Sequence, residues 1–511
     1  MLRALVGWGA AAGLGTLGCS SAGGETGDAG GRSGPDAGAV PDAASVLDAG
    51  ADAGTDAAAA VPDAAGRPRQ RVAIIGSGTA GVTLAWLLDG EADVVLFEAN
   101  ETLGGNVRTI ETTVGDTPYT IDLGAQYFHP RTHETFAGLL QHMGLFDPAG
   151  GAAAEALGAF EYPSTLTIFG VGEENPRFVS PARPSRLWPI SAPWNTDGIA
   201  AFAALATAGA RMEADDAPWD VTVETFLAGL SITDAQRSQI LLPLAATVNN
   251  SDIEVARTLS ARSAFTFISR NVRPNPLDPV TNFVLRPGLG ELHRRLVADC
   301  ATLTVRTGVR VAAVVSNPDR RLTLATADGP VDAGGPFDAV VLAGAPLDAG
   351  AMLGQVAGAE AVIAAFGDIE TYPTRIALHR DPIYAPTDPR NWSLVNARAD
   401  GGFCETSMYL GAALPTLPDG TAPSLWKSWV THRNEPPADS VLETEFRHLL
   451  TTPRTLGAGQ RLQALQGTAG LSFVGTYLHP VDSQDTAVES ALTVATRLAA
   501  QSAHLAALGP V

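Results

Sequence analysis

The sequence predicts an α/β fold in which a Rossmann-like nucleotide-binding domain is interrupted by an inserted α+β domain. An apolar strand pattern, a glycine-rich turn and a helical pattern follow one another near residue 76. Further buried-strand patterns come much later, near residues 340 and 472, and the stretches between them lack nucleotide-binding motifs. We therefore expect the nucleotide-binding domain to be assembled from three separate segments of the chain.

Composition excludes some classes of partner. The 511 residues carry 33 Lys and Arg against 54 Asp and Glu, which gives a formal net charge of −21. This charge repels nucleic-acid phosphates and has the wrong sign for a polybasic membrane contact. Lys427 is the only lysine, so the sequence contains no phosphate-binding loop of the GxxxxGK type.

The first 66 residues are predicted to precede the folded body. The N-terminal stretch resembles a bacterial lipoprotein signal, with Arg3, then an apolar run over 4–17 and then Gly18-Cys19. This predicts export, a lipid anchor at Cys19, and a location in the outer membrane or periplasm. The run is too short to span a bilayer, and ordinary secretion is the alternative. Residues 20–66 are rich in Ala, Asp, Gly and Pro and predict an extended linker.

The folded body opens with the order of elements that a dinucleotide site requires. A buried-strand pattern at 71–75 leads into the turn G-S-G-T-A-G at 76–81, then a helical pattern and a second strand that ends at Glu98. The glycines let the backbone approach a pyrophosphate, which the helix N-terminus then faces, and the carboxylate can bind ribose hydroxyls. The predicted cofactor contacts here are Gly76, Gly78, Thr79, Ala80, Gly81 and Glu98. The pattern fits either FAD or NAD.

Two further stretches carry a family resemblance. They are Gly104-Gly105-Asn106-Val107-Arg108 and Asp122-Leu123-Gly124-Ala125-Gln126. With them, the chain resembles the flavin-containing amine oxidoreductase superfamily, and most closely its bacterial predicted FAD/NAD-binding oxidoreductases. The resemblance implies FAD as the cofactor and a fold of the two-dinucleotide-binding-domain type. It places Gly104, Gly105, Asn106 and Arg108 at the pyrophosphate, and Ala125 and Gln126 against the flavin ring.

The resemblance returns in two later blocks. Between residues 283 and 342, it implies that backbone groups of Val309, in a strand, bind the adenine. In the last block a strand ends at Gly475 and a helix starts near residue 485. In the family, the N-terminus of this helix points at the flavin pyrimidine. The implied contacts there are Gly475, Asp485, Thr486 and Ala487, and family members usually carry an acid where this chain has Thr476.

These motifs divide the chain into seven segments. They are a signal peptide at 1–19, a linker at 20–66, FAD-binding segments at 67–140, 281–355 and 466–511, a helical substrate subdomain at 141–280, and a substrate domain at 356–465.

Catalytic candidates are few. His379 is a candidate proton carrier, because histidine titrates near neutral pH, and a structural histidine at a domain seam is the alternative. Amine oxidases of the superfamily usually hold a lysine that hydrogen-bonds a water at the flavin. The expected strand, 374–379, has none, and Lys427 lies elsewhere in the order of blocks. That absence argues against amine oxidation in particular.

Metal and disulfide chemistry have little sequence support. His129 and His133 have the spacing of a metal pair, but Pro130 disfavours a helix there, so no metal site is predicted. Cys300 and Cys404 could form a disulfide in an exported protein or remain two buried thiols.

The resemblance implies an exported FAD-dependent oxidoreductase that takes a hydride from a small or lipidic substrate. One alternative is a redox-neutral flavin isomerase or a desaturase acting on apolar chains. Another is a non-catalytic binding protein that keeps the fold, because Asn106 and Thr476 depart from the family pattern.

Overall fold

The computed structural model describes residues 69–180, 192–271 and 280–509. The predicted signal peptide, its Cys19 and the linker up to residue 66 lie outside the described residues. Within these ranges, no helix is both long enough and apolar enough to cross a bilayer.

The strands are β1 Arg71–Ile75, β2 Asp93–Phe97, β3 Thr109–Val114, β4 Thr117–Asp122, β5 Ala159–Pro163, β6 Leu166–Gly170, β7 Phe178–Val179, β8 Thr281–Leu285, β9 Thr304–Arg306, β10 Ala313–Ser316, β11 Leu322–Thr326, β12 Gly329–Pro330, β13 Ala339–Leu342, β14 Thr371–His379, β15 Val395–Asp400, β16 Phe403–Tyr409, β17 Trp426–Trp429, β18 Ser440–Leu449 and β19 Leu471–Phe473.

The α-helices are α1 Thr79–Leu87, α2 Glu134–His142, α3 Gly151–Ala156, α4 Thr196–Ala214, α5 Val223–Ala228, α6 Asp234–Gln236, α7 Leu242–Val248, α8 Ile253–Ala256, α9 Ala261–Ser269, α10 Gly290–Asp299, α11 Pro346–Ala351, α12 Glu360–Phe366, α13 Pro453–Ala464, α14 Gln484–Leu498 and α15 Ala503–Leu508.

A five-stranded parallel sheet forms the nucleotide-binding part, in the order β19-β13-β1-β2-β9. Every residue of β1 after Arg71 is buried, as expected for a parallel strand covered on both faces. Helix α1 follows β1 and packs against α10 and α14. The strands of this sheet come from three separate parts of the chain, and the predicted α/β class is confirmed.

A seven-stranded mixed sheet forms the second part, in the order β18-β14-β17-β16-β15-β6-β7. At one end it shares a hydrophobic cluster with helices α4, α5, α7, α8 and α9, through residues such as Ile168 and Ala397. Elsewhere Leu378 and Phe446 of the sheet pack with Ile121 of the β3–β4 hairpin. This hairpin follows directly after the glycine turn at 104–105, so it joins the second sheet to the nucleotide-binding part.

Candidate active site

The turn between β1 and α1 has the shape of a phosphate cradle. Gly76 has a φ of +111°, a conformation that side chains disfavour. A Cβ added at Gly81 would collide with the carbonyl oxygen of Gly76, so only glycine lets α1 approach β1 this closely. At Gly78 an added Cβ would meet no atom within 4 Å. Gly78 is also the N-cap of α1 and provides no side-chain cap, so the first-turn N–H groups are free to bind an anion.

A second glycine turn lies against the first. Gly78 and Gly104 form a parallel β-bridge, and the N–H of Gly104 donates to the Ser77 carbonyl at 3.2 Å. Gly105 has a φ of +58°, and a Cβ there would lie 3.1 Å from the Gly78 Cα. The side chain of Asn106 is exposed beside this turn. The two motifs, at residues 76–81 and 104–105, therefore form one backbone surface around an open space.

Glu98 directly follows β2 beside this turn and is buried. One carboxylate oxygen accepts from Ser77 N–H at 3.1 Å and Ser77 Oγ at 2.6 Å. The other accepts from Asn100 N–H at 2.9 Å and Asn100 Nδ2 at 2.8 Å. These four bonds orient the carboxylate and fill its about four acceptor positions, so a ribose hydroxyl would bind there by replacing one of these donors.

The N-terminus of α14 reaches the same cradle. Thr79 Oγ1 bonds to Gln484 Oε1 and lies 3.0 Å from His293 Nε2. The N–H of Gly475, which follows β19, donates to Ser490 Oγ of α14 at 2.9 Å. The stretches near residues 76, 104 and 475 thus converge around the first turn of α1.

Several predicted contacts have their side chains engaged elsewhere. The Arg108 guanidinium bonds to Thr444 Oγ1 and lies 4.9 Å from the Phe446 ring, so it points at β18 and not at the glycine turns. Asp485 Oδ1 accepts the Phe136 N–H at 2.8 Å and ties α14 to α2. The expectation that Arg108 bonds the pyrophosphate is not met in this geometry, because Thr444 and Phe446 hold its charged end.

At the start of α14, Thr486 Oγ1 donates to the carbonyl of Val481 at 2.8 Å, and Ala487 is buried in the core. Any cofactor contact from Asp485, Thr486 or Ala487 therefore has to come from backbone groups. Ala80 is likewise buried within α1.

Val309 differs from its predicted setting. It lies in the connection between β9 and β10 and not within a strand, and its N–H donates to the Glu98 carbonyl at 2.9 Å. Only its carbonyl therefore remains for the predicted adenine contact. The bond nevertheless places Val309 next to the ribose acid.

Lys427 is a candidate functional residue that the sequence analysis set aside. It lies on β17, which pairs with β14 so that Lys427 is opposite Leu378. Its ammonium donates to the carbonyls of Asp122 at 3.2 Å and Gly124 at 3.3 Å and to Gln126 Oε1. The lysine sought on 374–379 is thus supplied by the neighbouring strand, at the stretch that the family resemblance places against the flavin ring.

The surroundings of Lys427 change its protonation. Only 1% of Lys427 is exposed. Burial lowers its pKa to about 7, although the negative charge of Asp122 acts to raise it. Burial also raises the pKa of Asp122 to about 6, although the hydrogen bonds that its carboxylate accepts from Thr109 and from the Leu289 N–H act to lower it. His448 lies near enough for the lysine charge to help lower its pKa, to about 4, with burial as the larger cause. The sequence feature that could have identified this site is the chain's single lysine, which lies between two tryptophans.

His379 lies on the other face of the sheet. Successive strand residues alternate between faces, and Leu378 shares the face of its partner Lys427. His379 is completely buried, and its Nε2 lies 2.7 Å from Ser428 Oγ, which lies 2.5 Å from Ser407 Oγ. Burial lowers its pKa to about 4. This geometry favours the structural alternative for His379.

A small cleft lies near α14 and the end of β18. Its lining is largely polar and includes Asn249, Asn250, His448, Thr451 and Asp482. His448 is the lining residue that relates this cleft to Lys427, because the lysine charge acts on its pKa.

Two smaller features concern the cysteines and the histidines. Cys300 and Cys404 are free thiols, so the disulfide alternative is wrong. His133 stacks on Phe267 at 5.3 Å, and its pKa is lowered to about 4, chiefly by burial. In the three described ranges, no group of His, Cys, Asp or Glu is arranged to hold a metal ion.

The open space over Gly78, the uncapped first turn of α1 and the oriented Glu98 fit FAD. The parallel sheet, this cradle and the inserted second sheet together define a flavin-dependent oxidoreductase of the two-dinucleotide-binding-domain type. A family model, flavin containing amine oxidoreductase, matches residues 79–352, which is more than half of the chain. The protein belongs to this family, and FAD is its cofactor; both predictions are confirmed.

Solved structures share the fold at low sequence identity. Cyclohexylamine oxidase from Brevibacterium oxydans IH-35A is 16% identical with a TM-score of 0.56, covering 84% of this chain and 100% of that one. A CLA-producing fatty acid isomerase from P. acnes is 13% identical with a TM-score of 0.55, covering 84% and 98%. A redesigned putrescine oxidase double mutant is 15% identical with a TM-score of 0.55, covering 84% and 99%. No curated protein matches the sequence.

Proposed function

We propose that the protein is an exported FAD-dependent oxidoreductase that removes a hydride from a C–H bond of a small polar substrate. The observation that carries the proposal is the buried Lys427 ammonium, held by backbone carbonyls and Gln126 at the stretch predicted to face the flavin. When bound, FAD supplies the two-electron acceptor, and oxygen or another acceptor reoxidises it.

The chain's own residues position the substrate and handle a proton. Lys427, with a pKa near 7, can hold a proton or release it close to neutral pH. Burial keeps His448 neutral at neutral pH, because its pKa is lowered to about 4. The polar lining of the cleft that includes His448 supports a small polar substrate over the apolar chain that an isomerase or desaturase would need.

Export rests on the sequence. The proposed lipid anchor at Cys19 would hold the folded body near a membrane through the acidic linker at 20–66. Because the net charge of −21 does not favour binding to an anionic membrane surface, this covalent anchor is the only membrane attachment that we propose.

The test is the visible absorbance of the purified full chain. Bound flavin should be present and should bleach under anaerobic conditions on addition of an oxidisable substrate, with small amines and fatty acids tried side by side. Anaerobic turnover without bleaching would instead identify the redox-neutral isomerase. A chain that fails to bind flavin even after reconstitution would identify the non-catalytic binding protein.

A further inference from the structure

We infer that the side-chain amide of Gln484 binds the pyrophosphate of FAD, and that His293 is a positioning residue that holds this amide in place through Thr79. Gln484 is the first residue of α14, His293 lies on α10, and Thr79 is the first residue of α1. Three helices from separate parts of the chain therefore contribute to one cofactor contact. This contact depends on FAD as the cofactor and not on the reaction proposed above.

The Thr79 hydroxyl joins the other two side chains. It donates to Gln484 Oε1, and its oxygen lies 3.0 Å from His293 Nε2. A hydroxyl has a single proton, so the bond with His293 requires the imidazole to donate from Nε2. The hydrogen bonds therefore run in one direction, from His293 through Thr79 to the oxygen of the Gln484 amide.

The burial of His293 explains this direction. The residue is only 3% exposed, and burial lowers its pKa to about 4, so the ring is neutral at neutral pH and has one N–H group. Among the described residues, His293 Nδ1 has no hydrogen-bond partner. A neutral ring protonated on Nε2 uses its only donor and leaves Nδ1 as a bare acceptor, whereas a charged ring would leave a buried N–H unpaired.

The amide nitrogen of Gln484 remains available. Its oxygen accepts from Thr79, and no hydrogen bond within the described ranges engages its Nε2. Gln484 is half-buried, so this nitrogen is not sealed in the core. The amide contacts the first residue of α1, whose first-turn N–H groups form the anion-binding surface. A pyrophosphate on that surface would therefore lie beside the two N–H bonds of the Gln484 amide.

The electrostatics of the cradle favour such a neutral donor. The N-termini of α1 and α14 meet here, and both helix dipoles favour a bound anion. Ser483 caps α14, because its Oγ accepts the Thr486 N–H at 3.3 Å, whereas α1 has no side-chain cap. The expected cation, Arg108, is held by Thr444. We therefore expect backbone N–H groups and the Gln484 amide to bind the pyrophosphate in its place.

The experiment measures the binding of FAD and of ADP to the flavin-free chain by calorimetry. ADP keeps the pyrophosphate and lacks the flavin. Gln484→Glu has the same shape and keeps an oxygen for the Thr79 hydroxyl, but it replaces the amide nitrogen with charged oxygen. We expect it to weaken the binding of both ligands by the same factor, about tenfold or more, because the carboxylate repels the pyrophosphate. Gln141→Glu, at an exposed position on α2, is the matched control and should change neither affinity.

Two substitutions test the positioning role of His293. His293→Phe keeps a ring but has no donor for Thr79, and we expect it to weaken FAD and ADP binding about three- to tenfold. His293→Gln retains an N–H donor and should stay within about twofold of the wild type. In a chain that also carries Gln484→Leu, His293→Phe should have no further effect, because the group that it positions is gone. Melting temperatures of the flavin-free variants distinguish these effects from a loss of folding.

A Gln484→Glu protein that binds FAD as tightly as the wild type would overturn the inference. A loss confined to FAD would also overturn it, since the contact would then be with the flavin half. An undiminished effect of His293→Phe in the Gln484→Leu chain would refute positioning through Gln484. All of these measurements are made without substrate, so their failure is distinguishable from failure of the proposed function.

Discussion

At the scale of single residues, the decisive group is a lysine buried among oxygen atoms. Three acceptors surround the Lys427 ammonium and favour its charged form, while the loss of water opposes it. The lowered pKa shows that desolvation is the larger effect. A proton at this position can be exchanged near neutral pH, which a surface lysine does not allow.

Replacing Lys427 with methionine should slow substrate oxidation and leave flavin bound. The change removes the proton-carrying group but none of the backbone that forms the phosphate cradle. We expect the rate of anaerobic flavin reduction to fall by about 10²-fold or more. Stopped-flow absorbance measures this rate, and an undiminished rate would exclude Lys427 from the reaction.

The same substitution should alter the pH dependence of stability. The folded-state pKa of Lys427, about 7, lies below the usual value of 10.5, so the unfolded chain binds more protons between these two pH values. Wild-type stability should therefore rise relative to Lys427→Met as pH increases from about 7 to 10, and the difference should stay constant below pH 7. Thermal melts of the two proteins across this range test the sign, and a difference that falls with pH would contradict it.

At the scale of elements, the start of α1 combines an open site with a tight contact. The backbone of Gly78 has an extended conformation that other residues adopt, and the space above it is empty. Gly81, one turn later, lies against the Gly76 carbonyl. We therefore expect two glycines of one motif to have different functions, one in binding and one in packing.

The substitutions Gly78→Ala and Gly81→Ala should separate these functions. Gly78→Ala should change the stability of the flavin-free protein by less than about 1 kcal/mol but weaken FAD binding, because the methyl group occupies the phosphate space. Gly81→Ala should destabilise the protein by about 1–3 kcal/mol through its collision with Gly76. Denaturant unfolding and flavin titration of both variants provide the test, and similar profiles for the two would argue against the assignment.

At the scale of the whole molecule, a predicted acidic linker and a predicted anchor precede a body built around two large sheets. The chain's charge of −21 offers no attraction to an anionic membrane surface, so membrane association should depend on Cys19 alone. This consideration leads to a fractionation experiment.

Cys19→Ser should move the protein from the membrane fraction to the soluble fraction of the cells that export it. The folded body should keep its flavin, because the substitution lies outside the described body. Immunoblots of the separated fractions measure the distribution. A mutant that stays with the membrane would show that another segment attaches the protein.

The sequence alone determined the nucleotide-binding unit, since strand, glycine turn, helix and ribose acid are neighbours along the chain and obey local rules of geometry. Only the tertiary structure decided which distant side chains meet that unit. Strand pairing brought Lys427 next to residues about 300 positions earlier, and packing turned Arg108 and Asp485 toward other partners. The physical reason is that strand register and helix packing depend on contacts across the whole chain, which no local pattern records.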